Sequence, residues 1–139
     1  MKIRRRARVV ALQTLFEVDS VHHSAESVFA QRLAEESLPA KGEAFARRLV
    51  EGVVEHRQKL DTLISDIATD WPLEQVAVVD RNILRIAIYE ITVDRQTPVK
   101  VVINEAVELA KLFATDSSRR FVNGVLGALV SSRDQVLAK

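Results

Sequence analysis

Three groups of residues have side chains that could do chemistry. The first is His22-His23 with Glu26, a candidate metal cluster. Adjacent histidines point to different sides of the backbone that carries them, and no third histidine stands at ligand spacing, so a solvated turn is the expectation. The second is Glu90 with Glu105 and Glu108. A di-iron centre needs Glu-x-x-His pairs on two helices, and the chain has none, so these acids read as charged helix faces or a buried ion pair. Glu90 is the one acid that the helical wheel turns toward the core, where it must meet a donor or a cation. The third group is cationic: Lys2, Arg4, Arg5, Arg6 and Arg8 open the chain in MKIRRRARVVALQTLFEVD.

The cations pose a physical problem. From Ile3 this segment reads as an amphipathic helix, with Ile3, Ala7, Val10, Ala11, Leu15 and Val18 at three- and four-residue steps. A helix start carries a positive dipole end, which disfavours each cation by a few tenths of a kcal/mol. Neutralising phosphates releases counterions and offsets that cost, which points to nucleic acid. On a wheel Arg4, Arg5 and Arg8 share one side while Lys2 and Arg6 lie on another. A second cationic helix start, Arg119-Arg120, stands beside Phe121, whose ring offers a face to an unstacked base and favours single-stranded RNA over duplex DNA. Phe121 reads equally as a core residue, and the first cluster as a solvated, frayed terminus.

The elements that must position these residues are all helical. The chain has 139 residues, four glycines and three prolines, no repeat, and no two-residue alternation bounded by hairpin signals. We expect six or seven helices in one domain, 1–139. The first spans about 3–19; Ser24 caps a second that runs to about Ser37; a third covers about Lys41 to Thr69 with room for a bend near Arg57. Trp71-Pro72 is the expected seam between helical halves of about 1–72 and 73–139. Beyond it, VVDRNILRIAIYEITV is apolar nearly all round and belongs at the centre, burying Val79, Ile83, Leu84, Ile86, Ala87 and Ile88. Its polar stripe is Arg81, Asn82, Arg85 and Tyr89, with Asp80 beside it. A helix after Thr97-Pro98 turns Val102, Ile103, Ala106, Leu109, Ala110 and Phe113 inward. The last is capped by Ser117 or Ser118 and buries Val122, Val125, Leu126 and Leu129. The GxxG spelling of Gly124 to Gly127 falls inside that helix and lacks an exposed loop; close helix packing explains Gly124, as it does Gly52.

Composition narrows the function classes. With no cysteine, disulfides, thiolate metal sites and cysteine nucleophiles are excluded. No P-loop or dinucleotide fingerprint occurs, so no cofactor is expected. No apolar run approaches the roughly 18 residues of a membrane span, and the cationic start lacks the apolar block and cleavage site of a signal peptide, so a cytoplasmic protein without a membrane partner is expected. The net charge of +1 hides a division: residues 1–16 carry five cations and no acid, 17–80 carry six cations and thirteen acids, and 81–139 carry nine and six. An acidic middle between basic ends suits a protein that meets RNA on one surface and a basic partner on another.

Four stretches, RRRARVVALQTLFEVD, DRNILRIAIYEI, PVKVVINEAVELAKLF and SSRRFVNGVLGALV, together resemble the transcription antitermination factor NusB family, in that family's order and spacing. The resemblance implies an all-α, NusB-like bundle of two packed helical subdomains with no enzymatic activity. It implies binding of boxA RNA in ribosomal RNA leaders together with NusE, a small-subunit ribosomal protein, and loading onto RNA polymerase with other Nus factors to suppress premature termination. Carried over residue by residue, it assigns RNA contact to Arg4, Arg5, Arg6 and Arg8, with Lys2 beside them, and to Arg120 and Phe121. It assigns partner contact to Phe16 and Asp80, with Arg81 and Arg85 on the same stripe. Without it, Phe16 reads as core and Asp80 as an aid to capping the central helix. Two positions depart from the pattern: Ala114 stands where glycine is common, and Ser117 where an acid is common.

Two other classes compete with this reading. A protein-interaction module would use the basic start to dock an acidic partner without binding RNA. An RNA methyltransferase carrying a NusB-like domain would need a downstream cofactor-binding domain, and this sequence ends at Lys139.

Overall fold

The structure, a computed structural model, describes residues 1–70 and 72–138, with side chains through residue 132. Its regular structure is six α-helices and two short turns of other helix types: α1 (Ile3–Val21), α2 (Ala25–Glu35), α3 (Ala40–Ile67), a 3-10 turn (Leu73–Gln75), α4 (Val78–Tyr89) continuing into a π turn (Glu90–Asp94), α5 (Val99–Phe113) and α6 (Asp116–Ala138). No strand occurs among the described residues. The chain forms two compact units, residues 1–57 and 58–139, which divide inside α3 next to Arg57. Trp71, at the seam expected from sequence, lies outside the described residues.

In the first unit, α1 ends two residues later than expected, because His22 adopts the left-handed conformation at φ 59° and returns its N–H to the Val18 carbonyl. Ser24 caps α2 as expected, its Oγ accepting the Ser27 N–H at 3.2 Å. The core comprises Ala7, Val10, Ala11, Leu12 and Leu15 of α1, Val28 and Phe29 of α2, and Phe45, Ala46, Leu49, Val50 and Val53 of α3. Arg57 reaches Asp19 at 3.0 Å, and Arg32 reaches Glu17 at 3.2 Å, tying α3 and α2 to the far end of α1.

In the second unit α4 is buried along most of its length, as an all-round apolar helix must be. Val79 is an exception to the expectation: it is half-buried, one turn before the fully enclosed segment that starts at Asn82. Glu90 is buried and not without a partner. Pro98 opens α5, where its fixed φ suits a helix start and no N–H is wasted. Phe113 is 41% exposed rather than inward, because it sits in the last turn of α5, where the chain is about to leave the helix. Ala114 follows in extended backbone, φ −139°, so a glycine's left-handed freedom is not needed there. The cap of α6 is Thr115, not Ser117 or Ser118: its Oγ1 accepts the Ser118 N–H at 3.2 Å. Val122, Val125, Leu126 and Leu129 are buried as expected.

Gly124 corrects the packing argument from sequence. It is exposed, and a Cβ added there would meet no heavy atom within 4 Å beyond its own helix backbone. Gly124→Ala should therefore stabilise the protein by about 0.5–1 kcal/mol, since alanine removes backbone freedom from the unfolded chain at no steric cost. A lower midpoint in urea for that variant would show that the position is packed after all.

Candidate nucleic-acid interface

The start of α1 keeps the electrostatic conflict seen in the sequence. Lys2 occupies the cap position without a side-chain cap bond, and no acid stands in the first turn. The cations divide by environment. Lys2 and Arg4 are exposed and Arg5 is half-buried. Arg6 is engaged with the end of α2, its Nη2 donating to the Ser37 carbonyl at 2.7 Å and lying 3.4 Å from Glu36 Oε1. Arg8, also in the set assigned by resemblance, is 3% exposed. Its guanidinium carbon lies 5.1 Å from the centroid of Phe45, one turn deeper along α1 than the solvated cations.

Phe45 organises this end of the unit. Arg4 lies 4.4 Å from its centroid and Arg48 5.1 Å, so with Arg8 three guanidinium groups surround one buried ring. Each such contact is worth about 0.5–1 kcal/mol where partly exposed. Three cations gathered on one apolar base raise the local positive potential and orient Arg4 at the surface. Neither Phe45 nor Arg48 stands out in the sequence as a site residue; the signal there is an aromatic followed three residues later by a cation on one helix face.

The second unit holds the other cationic helix start. Arg119 pairs with Asp116 at 2.7 Å, so the macrodipole conflict is relieved locally there. Arg120 is exposed and Phe121 is half-buried at the edge of the apolar stripe of α6. Phe121 forms one wall of a concavity of about 300 Å³ with Val76, Asp80, Ser117 and Ser118. Asp80 is 8% exposed. Its Oδ2 accepts the Ser118 hydroxyl at 3.0 Å, whereas its Oδ1 is buried without a hydrogen-bond partner among the described residues. Burial pushes the Asp80 carboxyl above its ordinary value, and the Ser118 hydrogen bond pulls it part of the way back. Asp80 is thus neither a capping side chain, since the cap position of α4 is Ala77, nor an open surface charge.

The remaining partner-contact residues separate in the same way. Phe16 is 44% exposed near the end of α1, which makes it an apolar surface group and not a core aromatic. Arg81 is half-buried, its Nη1 donating to the Val76 carbonyl at 3.4 Å. Arg85 is 3% exposed and engaged in an internal network. Its Nε and Nη2 donate to the two carboxylate oxygens of Asp61 at 2.7 and 3.0 Å, and its Nη1 donates to Asn82 Oδ1 at 3.1 Å. Asp61, 24 residues away in α3, has no local signal in the sequence.

His22 and His23 are exposed, and His23 lies 3.4 Å from Glu17. Among the described residues no three His, Cys, Asp or Glu side chains are grouped to hold a metal ion, and no helix is long and apolar enough to cross a membrane.

Known proteins with this sequence pattern and fold are consistent with one another. The NusB family model matches residues 5–131. The transcription antitermination protein NusB of Roseiflexus sp. (strain RS-1) is 54% identical over 131 residues, which is 93% of this chain and 92% of the relative. The T. maritima NusB structure superposes with a TM-score of 0.85 at 36% identity, covering 92% of this chain and 90% of that one. A chain from the crystal structure of antitermination factors NusB and NusE in complex with double-stranded RNA superposes with a TM-score of 0.87 at 26% identity, covering 95% and 98%. Sequence and backbone agree across nearly the whole length, and the chain belongs to the NusB family.

Proposed function

We propose that the protein is a non-enzymatic, RNA-binding transcription antitermination factor that binds boxA RNA of ribosomal RNA leaders together with NusE and helps RNA polymerase, with other Nus factors, resist premature termination in the cytoplasm. The observation that carries this reading is the start of α1, where Lys2, Arg4 and Arg5 stand on a helix end with no side-chain cap and no acid in its first turn. Phosphates meeting this cation-rich end would release counterions, which favours binding. Arg6 contributes field more than contact, since it is engaged with Ser37 and Glu36. Arg120 and Phe121 supply a second cation and a stacking face. Phe16 is the apolar anchor for NusE, an exposed ring in a chain whose middle, residues 17–80, is acidic and suits a basic ribosomal protein.

The test is binding of single-stranded boxA-like RNA by fluorescence anisotropy over a range of salt, with and without NusE. Replacing Lys2, Arg4 and Arg5 together by alanine should keep the fold and shallow the dependence of log K on log salt by about 0.7 for each phosphate that is no longer neutralised. Phe121→Ala should weaken binding by roughly 1–3 kcal/mol and leave that slope nearly unchanged, because a stacked base carries no counterion. Arg8→Ala should lower stability and leave the slope alone. An unaltered slope in the triple variant would make the cluster a solvated helix end, and NusE binding without RNA binding would leave a protein-interaction module. Equal competition by duplex RNA would remove the single-strand preference.

A further inference from the structure

The first unit carries a groove that RNA binding does not use. Positions 47, 50, 51, 54 and 55 lie at three- and four-residue steps and so share one face of α3, which borders, with the start of α2, a space of about 420 Å³. Phe29 and Val50, both buried, form its floor. Val54 continues that apolar stripe one turn further along α3, yet it is 47% exposed. Arg47 lies over the Phe29 ring, 5.0 Å from its centroid, and its charge is met by Glu43 at 3.6 Å. The rest of the rim is acidic: Glu26, Glu51 and Glu55 are all exposed and make no ion pair among the described residues. Glu26 suits the first turn of α2, where the helix dipole favours an acid. Glu51 and Glu55 have no such account, since like charges four residues apart on one helix face destabilise it.

An apolar floor bordered by unpaired acids selects its occupant by charge. The phosphates of RNA and an anionic membrane surface are both repelled by it. A metal ion is not held, because no three His, Cys, Asp or Glu side chains are grouped for one among the described residues. A neutral apolar molecule would meet the floor and gain nothing from the three carboxylates. We propose that the groove docks a basic amphipathic helix of a protein partner, which lays an aliphatic side chain on the exposed Val54 and sets lysine or arginine side chains against Glu26, Glu51 and Glu55. A groove between two helices with apolar contacts at four-residue steps is the surface that an amphipathic helix fits, and the complementary charge fixes which helices are accepted. The partner's cations would also remove the repulsion between Glu51 and Glu55. Neither the cationic start of α1 nor Phe16 lines this groove, so the inference does not rest on RNA binding or on the NusE anchor.

The probe is a fluorescein-labelled peptide of leucine and lysine, about 15 residues long so that it can form a helix once bound, with its leucines on one face. Anisotropy with the full chain should show saturable binding that weakens as salt rises. A peptide with serine in place of leucine, and one with glutamate in place of lysine, should each bind roughly tenfold more weakly or worse. Amide chemical-shift changes in the wild-type protein should centre on residues 25–29 and 47–55, a readout that needs no variant. Val54→Ser, and Glu51→Gln combined with Glu55→Gln, alter exposed side chains and should each weaken binding by roughly three- to tenfold, the glutamine pair also flattening the salt dependence. Phe16→Ala should leave peptide binding unchanged. Shift changes centred elsewhere, or unaltered affinity in both groove variants, would overturn the docking site. Equal binding of the serine peptide would reduce the contact to charge attraction and overturn the groove. Displacement of the peptide by NusE would give this face to the NusE interface, and displacement by self-association of the protein would give it to a second copy; either would overturn a separate partner.

Discussion

Replacing Ile86 by alanine is expected to cost roughly 2–5 kcal/mol of folding stability, the range for truncating a large buried aliphatic side chain. Ile86 is 1% exposed, and its neighbours Ile83, Leu84, Ala87 and Ile88 are at most 2% exposed, so the methyl groups removed leave a cavity in a region already filled on every side. α4 meets both α5 and α6. A helix enclosed in this way cannot rotate to refill the gap without unpacking another face. Ile86→Val should cost about 0.5–1.5 kcal/mol, because only one methylene is removed. Urea denaturation of the two variants measures both figures. An alanine variant within about 1 kcal/mol of wild type would mean that the centre of this unit collapses readily, and that α4 is not the element around which it is built.

The helices are legible in the sequence because periodicity and punctuation are local. Ser24 before a helical run, Pro98 at a helix start and the apolar stripe of α6 each involve residues within a turn or two of one another. What a wheel cannot supply is the extent to which a neighbouring element covers the edge of a face. Val79 and Phe113 carry the same apolar chemistry as buried residues but sit at helix ends where that cover runs out. Arg8 shows the converse: its charge marks it as a surface residue, yet it is buried with its guanidinium beside the Phe45 ring of a different helix. The cap of α6 falls before the two serines expected to supply it, because Thr115, Ser117 and Ser118 all have hydroxyls able to cap, and only the backbone geometry chooses Thr115. At the candidate site, the cationic start of α1 follows from residue types, whereas the half-burial of Phe121, which reads equally as core or as a stacking face, does not. The buried Asp80–Ser118 contact joins residues 38 apart and follows from none of them.

Arg85→Ala is expected to destabilise the protein by about 3 kcal/mol, toward the lower end of what breaking a buried ion pair costs. The guanidinium is almost fully enclosed and makes a bidentate bond to Asp61 as well as a bond to Asn82, so its removal leaves a carboxylate and an amide oxygen that were satisfied together. The lower end applies because the Asp61 side chain is 22% exposed and recovers part of its hydration when the guanidinium is gone. Lysine should not rescue the variant: a single ammonium cannot match the two carboxylate oxygens and Asn82 at once. Removing both charges should do better, and Arg85→Met combined with Asp61→Leu is expected to return most of the stability, since replacing a buried pair by apolar groups of similar size is often neutral or favourable. The cycle of single and double variants, followed by urea denaturation, separates the pair's coupling from the packing of the arginine stem. Arg85 also shows why charge on a helical stripe is weak evidence for a partner surface. A stripe that is polar on the wheel is read as solvent-facing, but here it faces α3 and is satisfied inside the unit. Wild-type stability for Arg85→Ala together with weakened NusE binding would reverse this assignment and return the residue to the partner surface; a strong stability loss with the Asp61→Leu partner restoring it would fix Arg85 as the residue that ties α4 to the end of α3.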